Sequence, residues 1–454
     1  MNILKSFGWI AAASLLGSGP AIGDGEPDPD VVIAWNQRVL AIAEAEDGFL
    51  TLKGVRTAAM MHVAMHDALN AVSRRFAPYA FDGRAADADP VAAAARAAYV
   101  VATSQYPGDG PQLQAELERS LAPVAEGTAR ARGIALGTAA ARAILEKRDG
   151  DAWDSEAEYA WQPMGPGVYA AFDAHSGTPK GFVFGAGWAG VRPFLMQSPA
   201  QFRSPPPPDI ASAAYVAAYD EVKEVGRSAS AVRSADQAHL AMWWKEFVEA
   251  SHNRLARGLA PAALDLWQEA RLFALLNMSI FDAYVASFDS KFFYNHWRPY
   301  TAIRWAAHDG NPRTAPEPGW DNMHRHTYAF PSYPSAHGTA CAAAMAIMGN
   351  ALGDQHPFTM TIPLVDRAGP GSPKIAPDPT TRSFDSFSSA ALECAMSRVY
   401  LGIHFRYDSI EGNRLGTRIG NLGWKHHLVP SRDAAGSEAR VPSANRLVLD
   451  TLIE

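Results

Sequence analysis

Apolar positions recur at three- and four-residue spacing through most of the chain, the rhythm of amphipathic helices. In VRTAAMMHVAMHDALNAV (55–72), Ala58, Met61, Val63, Ala64, Leu69 and Val72 keep that spacing among polar neighbours, and the helical pattern spans 30–73. It returns in alanine-rich form over 90–104 and 109–148, then over 210–225, 232–257, 261–288, 334–352, 386–400 and 404–424. Strand-like alternation is scarce and limited to pieces such as FTMTIPL (358–364). From 151 to 209 Gly, Pro and aromatic residues dominate, which predicts a long ordered connector. Stretches 306–333 and 354–384 read as further loops, and no internal repeat is visible. The expected architecture is all-α: helical bundles wrapped by long loops.

Composition narrows the class. With 48% hydrophobic and 19% charged residues, the chain can bury a large core, and wholesale disorder is excluded. A net charge of −7 without a basic block makes a poor nucleic-acid binder. At the N-terminus, Lys5, the apolar run Phe7–Leu16 and the small residues Ala21-Ile22-Gly23 read as a secretory signal over 1–23. The expected mature chain is then secreted or periplasmic, with no integral membrane segment. It is read as one helical domain over 24–454, with a helical N-terminal part at 24–206 and a catalytic part at 207–430. Cys341 and Cys394 are too few for a disulfide framework or a zinc site; export permits one bridge, and two unpaired core residues are the alternative.

Three segments carry chemistry. KFFYNHWRP sets Lys291 and Arg298 seven apart near a helix end, on one side and two turns apart. YPSAHG opens an apolar helix with Pro334, Ser335, Ala336 and His337, where free N–H groups make an anion site. In SRVYLGIHFRYD, Gly402 can end one helix, and His404 and Asp408 stand at i,i+4, where the carboxylate can orient the imidazole. Together with Arg398 these residues describe a pocket for a multiply charged tetrahedral oxyanion such as phosphate or vanadate.

Lys-x6-Arg-Pro, Pro-Ser-x-His and Ser-Arg-x5-His-x3-Asp, in this order, resemble the signature of the vanadium-dependent haloperoxidase and type 2 phosphatidic acid phosphatase superfamily. YNHWRPYTAIR (294–304), FPSYPSAHG (330–338), PGVY, VRPF and QFRSPPPP resemble its bacterial secreted haloperoxidase branch. The resemblance implies a vanadium chloroperoxidase-like fold. It implies that Lys291, Arg298 and Arg398 hold the oxygens of a vanadate cofactor, with Ser335 and Ala336 adding donors. It further implies that His404 is the metal ligand, that Asp408 orients it, and that His337 is the acid/base group. The implied activity is oxidation of halide by hydrogen peroxide. Ala336 departs from the family's glycine and crowds the oxyanion site with a methyl group. Phe330, seven residues before His337, occupies a position that tunes halide preference in the family. The same atoms suit a soluble acid phosphatase acting on a phosphoester through a phosphohistidine, with His404 as nucleophile. An oxyanion-binding protein without turnover is the non-enzyme alternative.

Other histidines have plainer expectations. His62, His66 and Asp67 could approach a metal at i,i+4 spacing, but a packed structural helix is expected. His324 and His326 could line the pocket mouth or a surface loop. His426 and His427 follow the last helix and suit its C-terminal end.

Overall fold

The computed structural model describes residues 31–169 and 182–431. The expected leader at 1–23 lies outside the described residues. Thirteen α-helices are described: α1 Val31–Asp47, α2 Lys53–Val72, α3 Pro90–Gln105, α4 Gly110–Leu121, α5 Thr128–Lys147, α6 Ala213–Val225, α7 Ala235–Trp243, α8 Val248–Leu259, α9 Leu266–Tyr294, α10 Pro299–Trp305, α11 Ala336–Leu352, α12 Phe387–Tyr400 and α13 Arg406–His426. The helix-rich expectation holds. Three continuous runs are broken instead: 30–73 at 48–52, 109–148 at 122–127 and 232–257 at 244–247. The first break begins where Gly48 and Phe49 take positive φ angles of 62° and 60°. A left-handed pair cannot continue a right-handed helix.

Helix α9 is the axis of the molecule. Asp265 and Gln268 form a capping box at its start, which sets the first residue at 266 rather than 261. Its end is set by Asn295 in the left-handed conformation, so it runs through Lys291 to Tyr294. It is long and apolar enough to cross a membrane, yet 94% of its most apolar window is buried inside the protein, as in a soluble core helix. Helices α2, α11 and α13 pack on it, and one continuous hydrophobic cluster joins α1–α5 to α7–α9 and α11–α13.

The connector is tied to this axis by a buried carboxylate. Asp282 of α9 accepts hydrogen bonds from the backbone N–H of Phe194, Leu195 and Met196 at 2.6, 2.7 and 3.0 Å. Segment 354–384 is not wholly irregular. Strand β1 Phe358–Thr361 pairs antiparallel with β4 Thr381–Phe384, and β2 Val365–Asp366 with β3 Lys374–Ile375. In β1 the buried Phe358 and Met360 alternate with exposed threonines, the pattern legible in FTMT.

Close approach of α13 to α11 sets the end of the bundle where the motif residues lie. Gly412, Gly416 and Gly420 recur every fourth residue on α13, and a Cβ at Gly416 would lie 2.0 Å from the Thr339 carbonyl oxygen of α11. The two backbones meet because these positions carry no side chain. The start of α13 therefore abuts the start of α11, where the Ser335 N–H donates to the Asp408 carbonyl at 2.9 Å.

Candidate active site

Four chain segments deliver charge to one buried place. Lys291, in the last turn of α9, is fully buried, and its Nζ donates to the carbonyls of Pro331 (2.9 Å) and Ser332 (2.6 Å). An ammonium has three N–H donors, so one remains. Arg298 stands just before α10. Its Nε donates to the Phe330 carbonyl (2.9 Å) and its Nη1 to the Ile403 carbonyl (3.0 Å). Its Nη2 is buried with no protein partner. The Phe330 ring lies 5.2 Å from Lys291 Nζ and 4.6 Å from the Arg298 guanidinium, so it walls off both cations on an aromatic face.

Arg398 closes another side from the last turn of α12. Its Nη1 donates to the Trp244 carbonyl (3.3 Å), the side chain also bonds Tyr328, and its Nε is buried without a partner. The Trp244 backbone also hydrogen-bonds the His337 ring. His337 Nε2 has no partner, so this bond falls to Nδ1 and leaves Nε2 open. Ser335 caps α11 by accepting from the Gly338 N–H at 3.3 Å, which leaves its own hydroxyl proton to donate. Ala336 is buried as the first residue of that helix.

His404 sits at the centre. Gly402, at φ +80°, turns the chain out of α12. His404 Nδ1 lies 2.9 Å from Asp408 Oδ2, and its Nε2 lies 3.2 Å from Arg298 Nη1. A proton on Nδ1, given to the carboxylate, leaves the Nε2 lone pair directed at the cations. Asp408 is further held by the Phe405 N–H (3.1 Å) and by the Ser332 hydroxyl. Ser332 also lies 3.3 Å from His404 Nδ1 and supplies one of the two carbonyls that hold Lys291. No spacing in the sequence singled it out. Its place two residues before Pro334, inside FPSYPSAHG, was the available signal.

The charges strain against one another. Burial, then Arg298, pushes the Lys291 ammonium well below its usual range, while Asp408 pulls it back. Burial, then Arg298, Lys291, Arg398 and His337, keeps the His404 imidazole neutral far into acid. Burial, Arg398 and His252 do the same for His337. Burial raises the Asp408 carboxyl to about 6 against the pull of Ser332, Lys291 and Arg298. Three cations, two neutral imidazoles and one carboxylate leave a net positive, water-poor pocket. Such a pocket suits an oxyanion, whose charge would favour the protonated cations.

The structure gathers the motif residues, while His62, His66 and Asp67 make their contacts elsewhere. His62 Nε2 accepts from Asn36 Nδ2 (3.0 Å), while His66 bonds Asp67 and Asn70. The Asp67 carboxylate also accepts from the N–H groups of Tyr79, Ala80 and Phe81. These are packed structural links rather than convergent ligands. His324, buried, and His326 pack against Tyr328, which stacks on Phe330. His427 binds the Leu195 carbonyl at the end of α13, within hydrogen-bonding reach at 2.9 Å. Cys341 and Cys394 are joined as a disulfide between α11 and α12.

Residues 271–430 match the family model of the VCPO second helical-bundle domain. Vanadium chloroperoxidase of Curvularia inaequalis is 27% identical over 179 residues, taking in 31% of this chain and 28% of that protein, so the chain spans under a third of that relative's length. Among solved structures, a bacterial vanadium-dependent iodoperoxidase superposes with a TM-score of 0.68 at 22% identity, covering 87% of this chain and 95% of that one. An apo-type bacterial vanadium-dependent chloroperoxidase gives 0.61 at 16% identity, covering 81% and 91%. Residues 271–430 thus carry the likeness to that helical-bundle domain, and the chain shares the fold of these solved structures.

Proposed function

We propose that the protein is a vanadium-dependent haloperoxidase that uses hydrogen peroxide to oxidise halide to hypohalous acid. The observation that carries this is the set of buried, partnerless atoms on the gathered side chains: Arg298 Nη2, Arg398 Nε and His337 Nε2, with the His404 tautomer set by Asp408. A donor set of this kind, with three cations against one carboxylate, fits vanadate. Lys291, Arg298 and Arg398 would hold its oxygens, the Ser335 hydroxyl and the first amides of α11 would add donors, and His404 Nε2 would be the metal's protein ligand. When bound, the group supplies Lewis-acid activation of peroxide without a change of metal oxidation state.

The chain's own residues do the rest. Asp408 accepts the Nδ1 proton of His404 and fixes which nitrogen faces the pocket. His337, neutral and open at Nε2, takes a proton from incoming peroxide and returns it to the departing oxygen. Lys291, held by two carbonyls, keeps one N–H that would donate to an oxygen of the bound group. Phe330 keeps water from the two cations beside it. Export from the cell belongs to the same proposal, supported by the leader-like sequence at 1–23 and by a disulfide suited to an oxidising compartment.

The test is halide oxidation by protein stripped of oxyanions, assayed before and after orthovanadate loading, beside phosphomonoester hydrolysis without vanadate. Activity that appears only after loading is expected. Phosphoester turnover with no loading effect would favour the phosphatase use of the same atoms.

A further inference from the structure

The floor of the pocket beneath His337 is made of sulfur. Cys341 follows His337 by one turn of α11, and Cys394 precedes Arg398 by one turn of α12. Both cysteines are wholly buried, while His337 is partly exposed. A His337 ring nitrogen and the two sulfurs lie within 4.8 Å of one another, and among the described residues no other trio of His, Cys, Asp or Glu is grouped so as to hold a metal. The bond between the sulfurs masks a ligand set that suits soft metals: one imidazole and two thiolates.

We propose that reduction of Cys341–Cys394 opens a soft-metal site made of His337, Cys341 and Cys394, taking Zn²⁺ or its softer congener Cd²⁺. A dithiol delivers the two electrons by thiol–disulfide exchange. Its own sulfurs are oxidised to a disulfide, and Cys341 and Cys394 become thiols. The metal then displaces both thiol protons and bonds the two thiolates and the imidazole, with water as the fourth ligand. Ligand bonds of about 2.0–2.3 Å at tetrahedral angles put ligand atoms a little under 4 Å apart, so side-chain rotation from the observed grouping suffices. The Cα atoms stand 6.6 Å apart, and they need not travel.

The consequence is a choice between two states. Oxidised, the bridge ties the helix of Ser335 and His337 to the helix of Arg398 and leaves His337 Nε2 open. Reduced and metallated, the same helices stay tied, but the imidazole is occupied. Inhibition of turnover by the metal rests on the haloperoxidase reading; the metal site does not.

The folded full-length protein is reduced with a dithiol, cleared of reagent without air, and checked for two thiols and unchanged helical circular dichroism. Cd²⁺ is then titrated against the ultraviolet sulfur-to-cadmium band, with phosphate binding by the oxidised protein measured in parallel. One Cd²⁺ per reduced chain is expected and none for the oxidised chain. His337→Ala should weaken binding roughly 10- to 100-fold, by analogy with the loss of groups supporting a metal site. Absence of the band, an unchanged affinity in His337→Ala, or loss of the fold on reduction would each overturn the proposal. Failure of phosphate binding would instead count against the oxyanion pocket and leave the cadmium result standing.

Discussion

His404 Nδ1 lies 2.9 Å from Oδ2 of Asp408, one helical turn further along the chain, and neither side chain reaches solvent to any extent. The pair sets both the tautomer of the ring and the direction of the Nε2 lone pair, which accepts from Arg298 Nη1 at 3.2 Å. Asp408→Asn leaves the ligand in place and weakens its orientation and basicity. Vanadate affinity is expected to fall about 10- to 100-fold, as for other groups that support a metal ligand. Equilibrium titration with orthovanadate checks it.

His337 has a different task, so its variant should separate binding from turnover. His337→Ala is expected to keep much of the vanadate affinity and to lose about 10²- to 10⁴-fold in halide oxidation at saturating vanadate, the usual worth of acid–base help. The two measurements are made on one preparation.

Ser332 joins the two ends of the site, with its hydroxyl on Asp408 and its carbonyl on Lys291. Ser332→Ala removes a donor that lowers the Asp408 carboxyl, whose pKa already stands at about 6. Protonation of Asp408 then begins at higher pH and removes the one negative charge that opposes a bound anion, so the acid-side rise in phosphate affinity should begin at higher pH. Ser332→Thr should restore the wild-type profile, and phosphate titration across the acid range reads both.

Gly416 tests the helix contact that brings His404 to Ser335. Its missing Cβ would meet the Thr339 carbonyl at 2.0 Å, which is backbone and cannot swing aside. Gly416→Ala is expected to destabilise the fold by about 1–3 kcal/mol through overpacking, read as a lower denaturant midpoint with unchanged slope.

His62 makes acid sensitivity measurable at a single group. Burial, with Arg257 nearby, lowers it from 6.5 to about 3. The unfolded chain therefore protonates His62 first, and the stability this residue allows is lost as pH falls from 6.5 toward 3. The wild type should lose about 1.4 kcal/mol per pH unit relative to His62→Gln across that window, and nothing above it. Paired denaturant titrations at several pH values give the difference.

The pocket was legible because its chemistry is written in short runs. A helix start after Pro334, a lysine–arginine pair seven apart and a histidine–aspartate pair four apart each fix local geometry. Helix existence followed from periodicity for the same reason. The breaks at 48–52 and 244–247 did not, because apolar spacing on both sides keeps phase while the backbone between leaves the helix. The connector was recognised only as a loop. Its anchorage by Asp282, nearly ninety residues away in the chain, is a tertiary hydrogen-bond pattern without a local signal. Ser332 escaped for the same reason: a serine in a loop is ordinary until the carboxylate it meets is known. For Cys341 and Cys394 the bridge was the lesser of two readings beside unpaired core residues, because pairing depends on how α11 meets α12.

The account turns on His404 as the one protein ligand of a bound vanadate, and vanadate titration of wild type beside His404→Ala tests this most directly. One vanadate per chain, displaced by phosphate, is predicted for the wild type, with binding largely lost in His404→Ala although Lys291, Arg298 and Arg398 remain. Unchanged affinity in His404→Ala, or no saturable binding by the wild type, would contradict it.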